Sequence, residues 1–237
     1  MNAPLRLITF DLDDTLWDVR PALQAAERAQ WLFLRGRFPS LGLDTTPRDQ
    51  LDAIRRSVLE REPKLAHHIS LFREQFIDAL LQSKGVASDE SAVAASEAFA
   101  AFLSHRHSVT LFEGAVPVLQ ALSQRYRIGA ITNGNADVHK TTIGHFFDYA
   151  WRAEEFGISK PDPALFHHAF TEAGVTASEV IHVGDCHQND VGGAVAAGAT
   201  AIWFNPEGRR SEIAASVVTT LAELPDAIAQ LEGLRVE

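Results

Sequence analysis

Residues 5–16 read LRLITFDLDDTL, and this stretch decides the fold. Residues 5–10 form a mostly apolar run, which is typical of a strand buried in a parallel sheet. Asp11, Asp13 and Asp14 follow the run directly. Because open α/β sheets gather their functional groups at the carboxyl ends of the strands, the stretch predicts a buried strand that ends in a functional loop.

Three further segments carry polar groups beside apolar runs: residues 131–135 (ITNGN), 159–163 (SKPDP) and 184–190 (GDCHQND). More strands are predicted at 128–132, 180–183 and 200–204, with helices at 115–124, 163–173 and 190–197 between them. Strands that alternate with helices predict an α/β fold, a Rossmann-like doubly wound parallel sheet with right-handed crossovers.

The spacing of these segments predicts an inserted domain. Thr132 and Lys160 are 28 residues apart and Lys160 and Asp185 are 25 apart, but 121 residues separate Asp11 from Thr132. Since one βαβ unit takes about 30 residues, roughly 85–95 residues are inserted in the long interval. We therefore predict a core of residues 1–16 and 109–237 and a four-helix cap of residues 17–108, with helices near 21–36, 47–60, 66–84 and 89–106.

The amino-acid composition limits the classes of partner that the protein is expected to bind. The chain of 237 residues has a net charge of −10 and no run of Lys or Arg, which argues against nucleic acid and membrane partners. Its single cysteine, Cys186, rules out an intramolecular disulfide and a cysteine zinc cluster. The first apolar run is too short for a signal peptide. We expect a cytoplasmic monomer or small homo-oligomer that acts on a small molecule.

The four segments together resemble the four motifs of the haloacid dehalogenase superfamily. The resemblance implies that Asp11 is a nucleophile that forms an aspartyl-phosphate and that Asp13 is the general acid and base. It further implies that Thr132, Asn133 and Lys160 bind the phosphoryl group. A helical insert at this point matches one of the superfamily's cap positions, where it closes over the substrate.

A divalent cation relieves the repulsion between a phosphate dianion and these carboxylates, and oxygen ligands favour Mg²⁺. By resemblance, the ligands are the carboxylates of Asp11 and Asp185 and the main-chain carbonyl of Asp13. Asp190 is expected to orient a metal-bound water or Lys160, or else to serve as an acid in the first turn of a helix.

The other polar residues of the fourth segment receive structural interpretations. Asn189 is expected to be the N-cap of the helix that follows. Cys186 is expected to be a small buried filler, and His187 lies outside the superfamily mechanism.

Asp13 also bears on the type of reaction. The superfamily's dehalogenases lack this second acid, so a 2-haloacid dehalogenase is disfavoured. Phosphonatases use a cap lysine, but Lys64 and Lys84 lack the apolar setting that activates such a residue. A phosphomutase stays open, and a phosphatase is favoured. A non-catalytic binding domain is disfavoured because Asp11 and Lys160 are both present.

A narrower resemblance links residues 18–21, 62–63 and 190–194 to the bacterial flavin mononucleotide phosphatases. Those enzymes also dephosphorylate the ribitylaminouracil phosphate of riboflavin synthesis. Sugar phosphates and nucleotides remain alternative substrates. Trp17 follows the loop that carries Asp11 and Asp13, so we expect it to contact the substrate.

Overall fold

The computed structural model describes residues 4–236, with side chains up to residue 233. The chain divides into a core unit, which comprises the described residues up to Val19 and from Val109 onward, and an inserted unit, Arg20–Ser108. Trp17 belongs to the core unit, because its backbone forms bridges with Asp13 and Leu111. The division therefore falls after Val19, and the predicted boundary after residue 16 is three residues early.

The core unit contains a six-stranded sheet in which all neighbouring strands are parallel, in the order β3-β2-β1-β4-β5-β6. The strands are β1 Leu7–Phe10, β2 Arg127–Thr132, β3 Tyr149–Arg152, β4 Val180–Gly184, β5 Thr200–Phe204 and β6 Ser216–Val218. The four predicted strands are confirmed. The two edge strands, β3 and β6, were not predicted, because they are short and half-exposed and give no continuous apolar run.

Side chains alternate between the two faces of the sheet, and each face is covered by helices. On β1, Ile8 and Phe10 enter a buried cluster that contains Leu119, whereas Leu7 enters a separate cluster that contains Phe166. The helices of the core unit are α5 Ala115–Ser123, α6 Ala153–Phe156, α7 Pro163–Glu172, α8 Gly193–Ala196 and α9 Leu224–Val236. This two-faced arrangement confirms the predicted doubly wound fold.

The inserted unit is helical throughout its regular structure. Its longer helices are α1 Val19–Arg37, α2 Arg48–Arg61, α3 Ile69–Ser83 and α4 Ser88–Arg106, close to the four predicted helices. Its main cluster packs Leu34, Phe76 and Leu80 against the small residues Ala94 and Ala98. Among the described residues 4–236, no helix is both long enough and apolar enough to cross a membrane.

The register of the central strands sets the position of the first acid. Phe10 of β1 lies opposite Ala130 on β2 and Val183 on β4. Asp11 comes next, and its backbone N–H donates to the carbonyl of Val183 at 2.9 Å. Asp11 therefore lies at the carboxyl edge of the sheet, between the ends of two neighbouring strands.

Candidate active site

Lys160 lies in the third segment, and its ammonium group contacts each of the other three. Its Nζ donates to Asp11 Oδ1 at 2.6 Å, to Asp190 Oδ1 at 2.6 Å and to the backbone carbonyl of Ile131 at 2.7 Å. The Lys160 side chain is only 2% exposed. Because an ammonium group has three hydrogens, each of them has an acceptor in this arrangement.

The backbone of Lys160 is held as tightly as its side chain. Asn133 Oδ1 accepts from the Lys160 N–H at 2.8 Å, and Asn133 Nδ2 donates to the Lys160 carbonyl at 2.9 Å. The side chain of Asn133 therefore fixes Lys160, a role that the sequence did not indicate. Thr132 ends β2, is buried, and accepts at its Oγ1 from the N–H of Gly134 at 3.0 Å.

Asp185 is anchored by two residues that sequence analysis missed. Thr15 Oγ1 donates to Asp185 Oδ1 at 3.0 Å and accepts from the Asp185 N–H at 3.0 Å. The indole N–H of Trp203 donates to the Asp185 carbonyl at 2.7 Å. The available signal for Thr15 was a hydroxyl inside the acidic loop, whereas Trp203 lies within an apolar run that indicates only a strand.

Asp190 lies in a π-helical turn, His187–Gly192, a rare form that occurs frequently at functional sites. Its Oδ1 accepts from Lys160, and its Oδ2 accepts from the N–H of Cys186 at 2.9 Å. This geometry agrees with the expectation that Asp190 orients Lys160.

Two structural expectations for this turn were wrong. Cys186 is the N-cap instead of Asn189, because the Asn189 N–H donates to Cys186 Sγ at 3.4 Å. Cys186 is also only half-buried and lines the pocket, so it is not a buried filler. His187 hydrogen-bonds Ser211 Oγ at 2.8 Å and packs edge-on against Trp203.

Below Asp190 lies a buried histidine that the sequence did not single out. His182 Nδ1 is 2.9 Å from Thr9 Oγ1, and its Nε2 is 3.4 Å from Asp190 Oδ1. Burial lowers the pKa of His182, which favours the neutral ring. A neutral ring that accepts from Thr9 at Nδ1 donates its Nε2–H towards Asp190 and supports that carboxylate from beneath.

The four segments together line an open cavity of about 330 Å³, which carries mostly polar residues. All its lining residues belong to the core unit, and they are Asp11, Asp13, Thr132, Asn133, Gly134, Lys160, Asp185, Cys186, Asn189 and Asp190. The structure therefore brings together every predicted catalytic, phosphate-binding and metal-binding residue.

Trp17 has a different place from the expected substrate contact. Its side chain is fully buried, and it belongs to the apolar cluster of the core unit. Its indole N–H donates to Asp13 Oδ1 at 2.8 Å. A fully buried ring offers no face on which a flavin can stack, so this expectation is corrected.

The ionisable groups that line the cavity have pKa values shifted from their ordinary values in different directions. Burial raises the pKa of Asp11 to about 8, with Asp190 adding to the effect and Lys160 opposing it. Burial also raises the pKa of Asp185, to about 6. Burial acts to lower the pKa of Lys160, but the attraction of Asp11 and then of Asp190 outweighs it and the pKa is raised. Burial acts to raise the pKa of Asp190, but Lys160 and then His182 outweigh it and the pKa is lowered. A nearby cation would lower both raised pKa values and favour the ionised forms of Asp11 and Asp185.

The donor atoms fit a hard divalent cation. Carboxylate oxygens of Asp11, Asp185 and Asp190 lie within 4.8 Å of one another. Oxygen donors of this kind suit Mg²⁺ or Ca²⁺ and are a poor match for soft metals. Since both oxygens of Asp190 already accept hydrogen bonds, Asp11 and Asp185 are the carboxylates better placed to bind an ion.

Comparison with known proteins gives the family. The haloacid dehalogenase-like hydrolases match residues 5–198. The 5-amino-6-(5-phospho-D-ribitylamino)uracil phosphatase YigB of Escherichia coli is 32% identical over 200 residues, 84% of this chain and 83% of that protein. A phosphoserine phosphatase of Thermus thermophilus is 30% identical over 232 residues, 88% of this chain and 91% of its own.

A solved structure extends the likeness to the fold. The crystal structure of a 2-haloacid dehalogenase from Pseudomonas syringae pv. Tomato has a TM-score of 0.90 and 40% identity, and it covers 96% of this chain and 99% of its own. The chain belongs to the haloacid dehalogenase-like hydrolase family. The family confirms that the chain is a hydrolase, and the named phosphatases are consistent with the predicted enzyme class, a phosphoric monoester hydrolase.

The first prediction concerns Gly184, which ends β4 beside Asp190. A Cβ at Gly184 would lie 2.5 Å from Asp190 Oδ2 and closer still to its Cγ. Asp190 cannot move aside without releasing Lys160. We therefore expect Gly184→Ala to abolish most activity and to lower the free energy of unfolding by about 1–3 kcal/mol, as overpacking does.

Turnover and denaturant unfolding measure these effects, and Gly192→Ala is the matched control. A Cβ at Gly192 meets only the His187 carbonyl, at 3.6 Å, so this variant should behave like the wild type. A Gly184→Ala protein with wild-type activity and stability would show that Asp190 is not confined as described.

Proposed function

We propose that the protein is a Mg²⁺-dependent phosphatase of small phosphomonoesters that works through a phosphorylated Asp11. One observation carries the proposal: the buried Asp11 carboxylate lines the cavity, is paired with Lys160 and stands two residues before Asp13. A carboxylate so placed can attack phosphorus, and the phosphatase relatives support this reaction.

The proposed reaction has two steps. In the first, Asp11 forms a bond to phosphorus, the bond from phosphorus to the leaving oxygen breaks, and Asp13 gives a proton to that oxygen. In the second, Asp13 takes a proton from a water molecule that attacks phosphorus. The bond to Asp11 then breaks, and inorganic phosphate is released.

Lys160 and Thr132 serve both steps. The ammonium of Lys160 already contacts the attacking carboxylate, so it can neutralise charge that develops on the phosphoryl oxygens. The Thr132 hydroxyl and the backbone amide of Asn133 are the proposed phosphoryl donors, and both residues line the cavity. Asp190 and Asn133 act indirectly, since they keep Lys160 in place.

The proposed Mg²⁺ ligands are the carboxylates of Asp11 and Asp185 and the main-chain carbonyl of Asp13. When bound, the ion supplies positive charge that offsets the repulsion between the substrate phosphate and the acidic cluster. The raised pKa of Asp11 supports this proposal, because a nearby cation would favour the ionised form that attack requires.

The second prediction tests the metal. EDTA should silence the wild type, and Mg²⁺ should restore it, whereas Ca²⁺ should bind and inhibit because its coordination is looser. Asp185→Asn should raise the Mg²⁺ concentration for half-maximal activity by at least about tenfold, since even outer-shell changes cost that much. Phosphate release during a Mg²⁺ titration measures both effects.

Asp162→Asn is the matched control, because Asp162 is exposed and caps α7 outside the acidic cluster. Its Mg²⁺ dependence should equal that of the wild type. Full activity of the wild type in excess EDTA would contradict the proposed metal.

Flavin mononucleotide or the ribitylaminouracil phosphate is the proposed substrate. The likeness to YigB supports this choice, and it covers 84% of the chain, more than the core unit alone. The likeness to a phosphoserine phosphatase makes other small phosphomonoesters alternative substrates. We propose that the inserted unit acts as the cap that selects among them.

A 2-haloacid dehalogenase is the second candidate, and the 40% identity to the Pseudomonas syringae structure favours it. Displacement of halide needs a nucleophilic carboxylate but no proton donor for the leaving group. Asp13 would have no task in that reaction, yet it lines the cavity and is held by Trp17. The phosphatase accounts for both acids and is therefore preferred.

The third prediction separates the candidates with one substrate panel. The panel comprises flavin mononucleotide, the ribitylaminouracil phosphate, phosphoserine, simple sugar phosphates and 2-chloropropionate. Phosphate should be released from the esters, with the highest kcat/KM for one of the first two, and no chloride should be released.

Each contrary result has a distinct meaning. Chloride release without phosphate release would replace the phosphatase with the dehalogenase. Equal kcat/KM values for flavin mononucleotide and simple sugar phosphates would reject the flavin-related substrate and leave the phosphatase standing.

A further inference from the structure

The loop after β1 folds back on itself and brings Trp17 beside Asp13. The N–H of Leu16 donates to the Leu12 carbonyl at 2.9 Å, and the N–H of Asp14 donates to the Trp17 carbonyl at 2.7 Å. Asp14 has φ 61°, a left-handed conformation that is uncommon for a non-glycine residue. Backbone of this kind persists where the surrounding structure demands it, and here it closes the loop.

The ring of Trp17 is packed among apolar residues of the core unit. It is fully buried in the apolar cluster that contains Phe10, Leu16 and Leu119. Its backbone also bridges to Leu111. Because packing locks the ring, the direction of the indole N–H is set before any substrate binds.

This fixed N–H points at the general acid. Trp17 Nε1 lies 2.8 Å from Asp13 Oδ1, a good distance for a hydrogen bond. Asp13 is half-exposed and lines the cavity. A half-exposed carboxyl group can adopt several conformations in general, and only some of them aim a proton at the leaving oxygen.

We propose that Trp17 is a positioning residue that holds the Asp13 carboxyl group in the orientation for proton transfer. The inference rests on the proposed phosphatase function. An indole N–H can only donate, so Oδ1 acts as its acceptor and the transferable proton belongs on Oδ2. During the first step, Oδ2 gives that proton to the leaving oxygen as the bond from phosphorus to that oxygen breaks.

The fourth prediction uses the leaving group as the readout. Trp17→Phe keeps a buried aromatic ring and removes the N–H. An alkyl phosphate such as flavin mononucleotide needs a proton on its leaving oxygen, whereas p-nitrophenolate departs without one. Trp17→Phe should lower kcat/KM by about tenfold or more for the alkyl ester, part of the 10²–10⁴-fold that a general acid contributes.

For p-nitrophenyl phosphate, the loss in kcat/KM should be small. This constant covers only the steps through departure of the leaving group, so hydrolysis of the phosphorylated enzyme does not enter the comparison. A ring that merely supports the fold would lower both values of kcat/KM equally.

A double-mutant cycle tests whether Trp17 acts through Asp13. In an Asp13→Asn background, Trp17→Phe should produce little further loss with the alkyl ester, because the group that it positions is already disabled. Trp151→Phe is the matched control, since it removes another buried indole N–H, one that donates to Glu172 outside the cavity. It should leave the ratio of the two kcat/KM values unchanged.

A second variant guards against misfolding. β-(3-Benzothienyl)alanine placed at position 17 carries sulfur in place of the N–H and keeps the shape of the ring, and it should reproduce the selective loss. Equal losses on both esters, or additive losses in the cycle, would overturn the positioning role while the phosphatase stands. A wild-type enzyme that hydrolyses neither ester would overturn the proposed function and this inference with it.

Discussion

The rest of the site depends on one buried ammonium group. Lys160 Nζ has three acceptors, which come from the end of β1, the end of β2 and the turn after β4. Removing one partner of a buried ion pair costs about 3–5 kcal/mol, because the other charge is left uncompensated. The strand ends must therefore meet in one arrangement, and that arrangement also places Asp11 and Asp185 side by side. Gly184 follows from the same constraint, since no side chain fits between β4 and Asp190.

The acidic and basic residues of the cavity were predictable because each follows a clear strand or turn signal. Their supports were less visible in the sequence. Trp17 looked like a substrate contact because an aromatic residue beside a catalytic loop gives no sign of whether its ring points outward or into the core. Asn189 looked like an N-cap because asparagine commonly is one, yet the backbone turn presents its N–H to Cys186 Sγ. The edge strand Tyr149–Arg152 gave too weak a signal because it is short and half-exposed.

One scaffold serves hydrolases of different bonds, so the fold alone does not choose the reaction. The relatives include named phosphatases as well as a named dehalogenase with a TM-score of 0.90. The choice depends on residues at the cavity. Asp11 and Lys160 suit either reaction, whereas Asp13 is useful only when a leaving group needs a proton. The hydrogen bond from Trp17 to Asp13 supports the same choice. A buried indole N–H donates to Asp13, the residue that distinguishes the two reactions.

The most direct measurement of the central claim is the site of phosphorylation during turnover. Acid-quenched enzyme can be digested and its peptides mapped by mass spectrometry for a phosphoryl group. We expect one on the peptide that contains Asp11 in the wild type, and neither a phosphoryl group nor turnover in Asp11→Asn. Asp14→Asn is the control in the same loop, because asparagine tolerates the left-handed conformation there, and it should still be phosphorylated at Asp11. An Asp11→Asn enzyme that turns over near the wild-type rate would contradict the account.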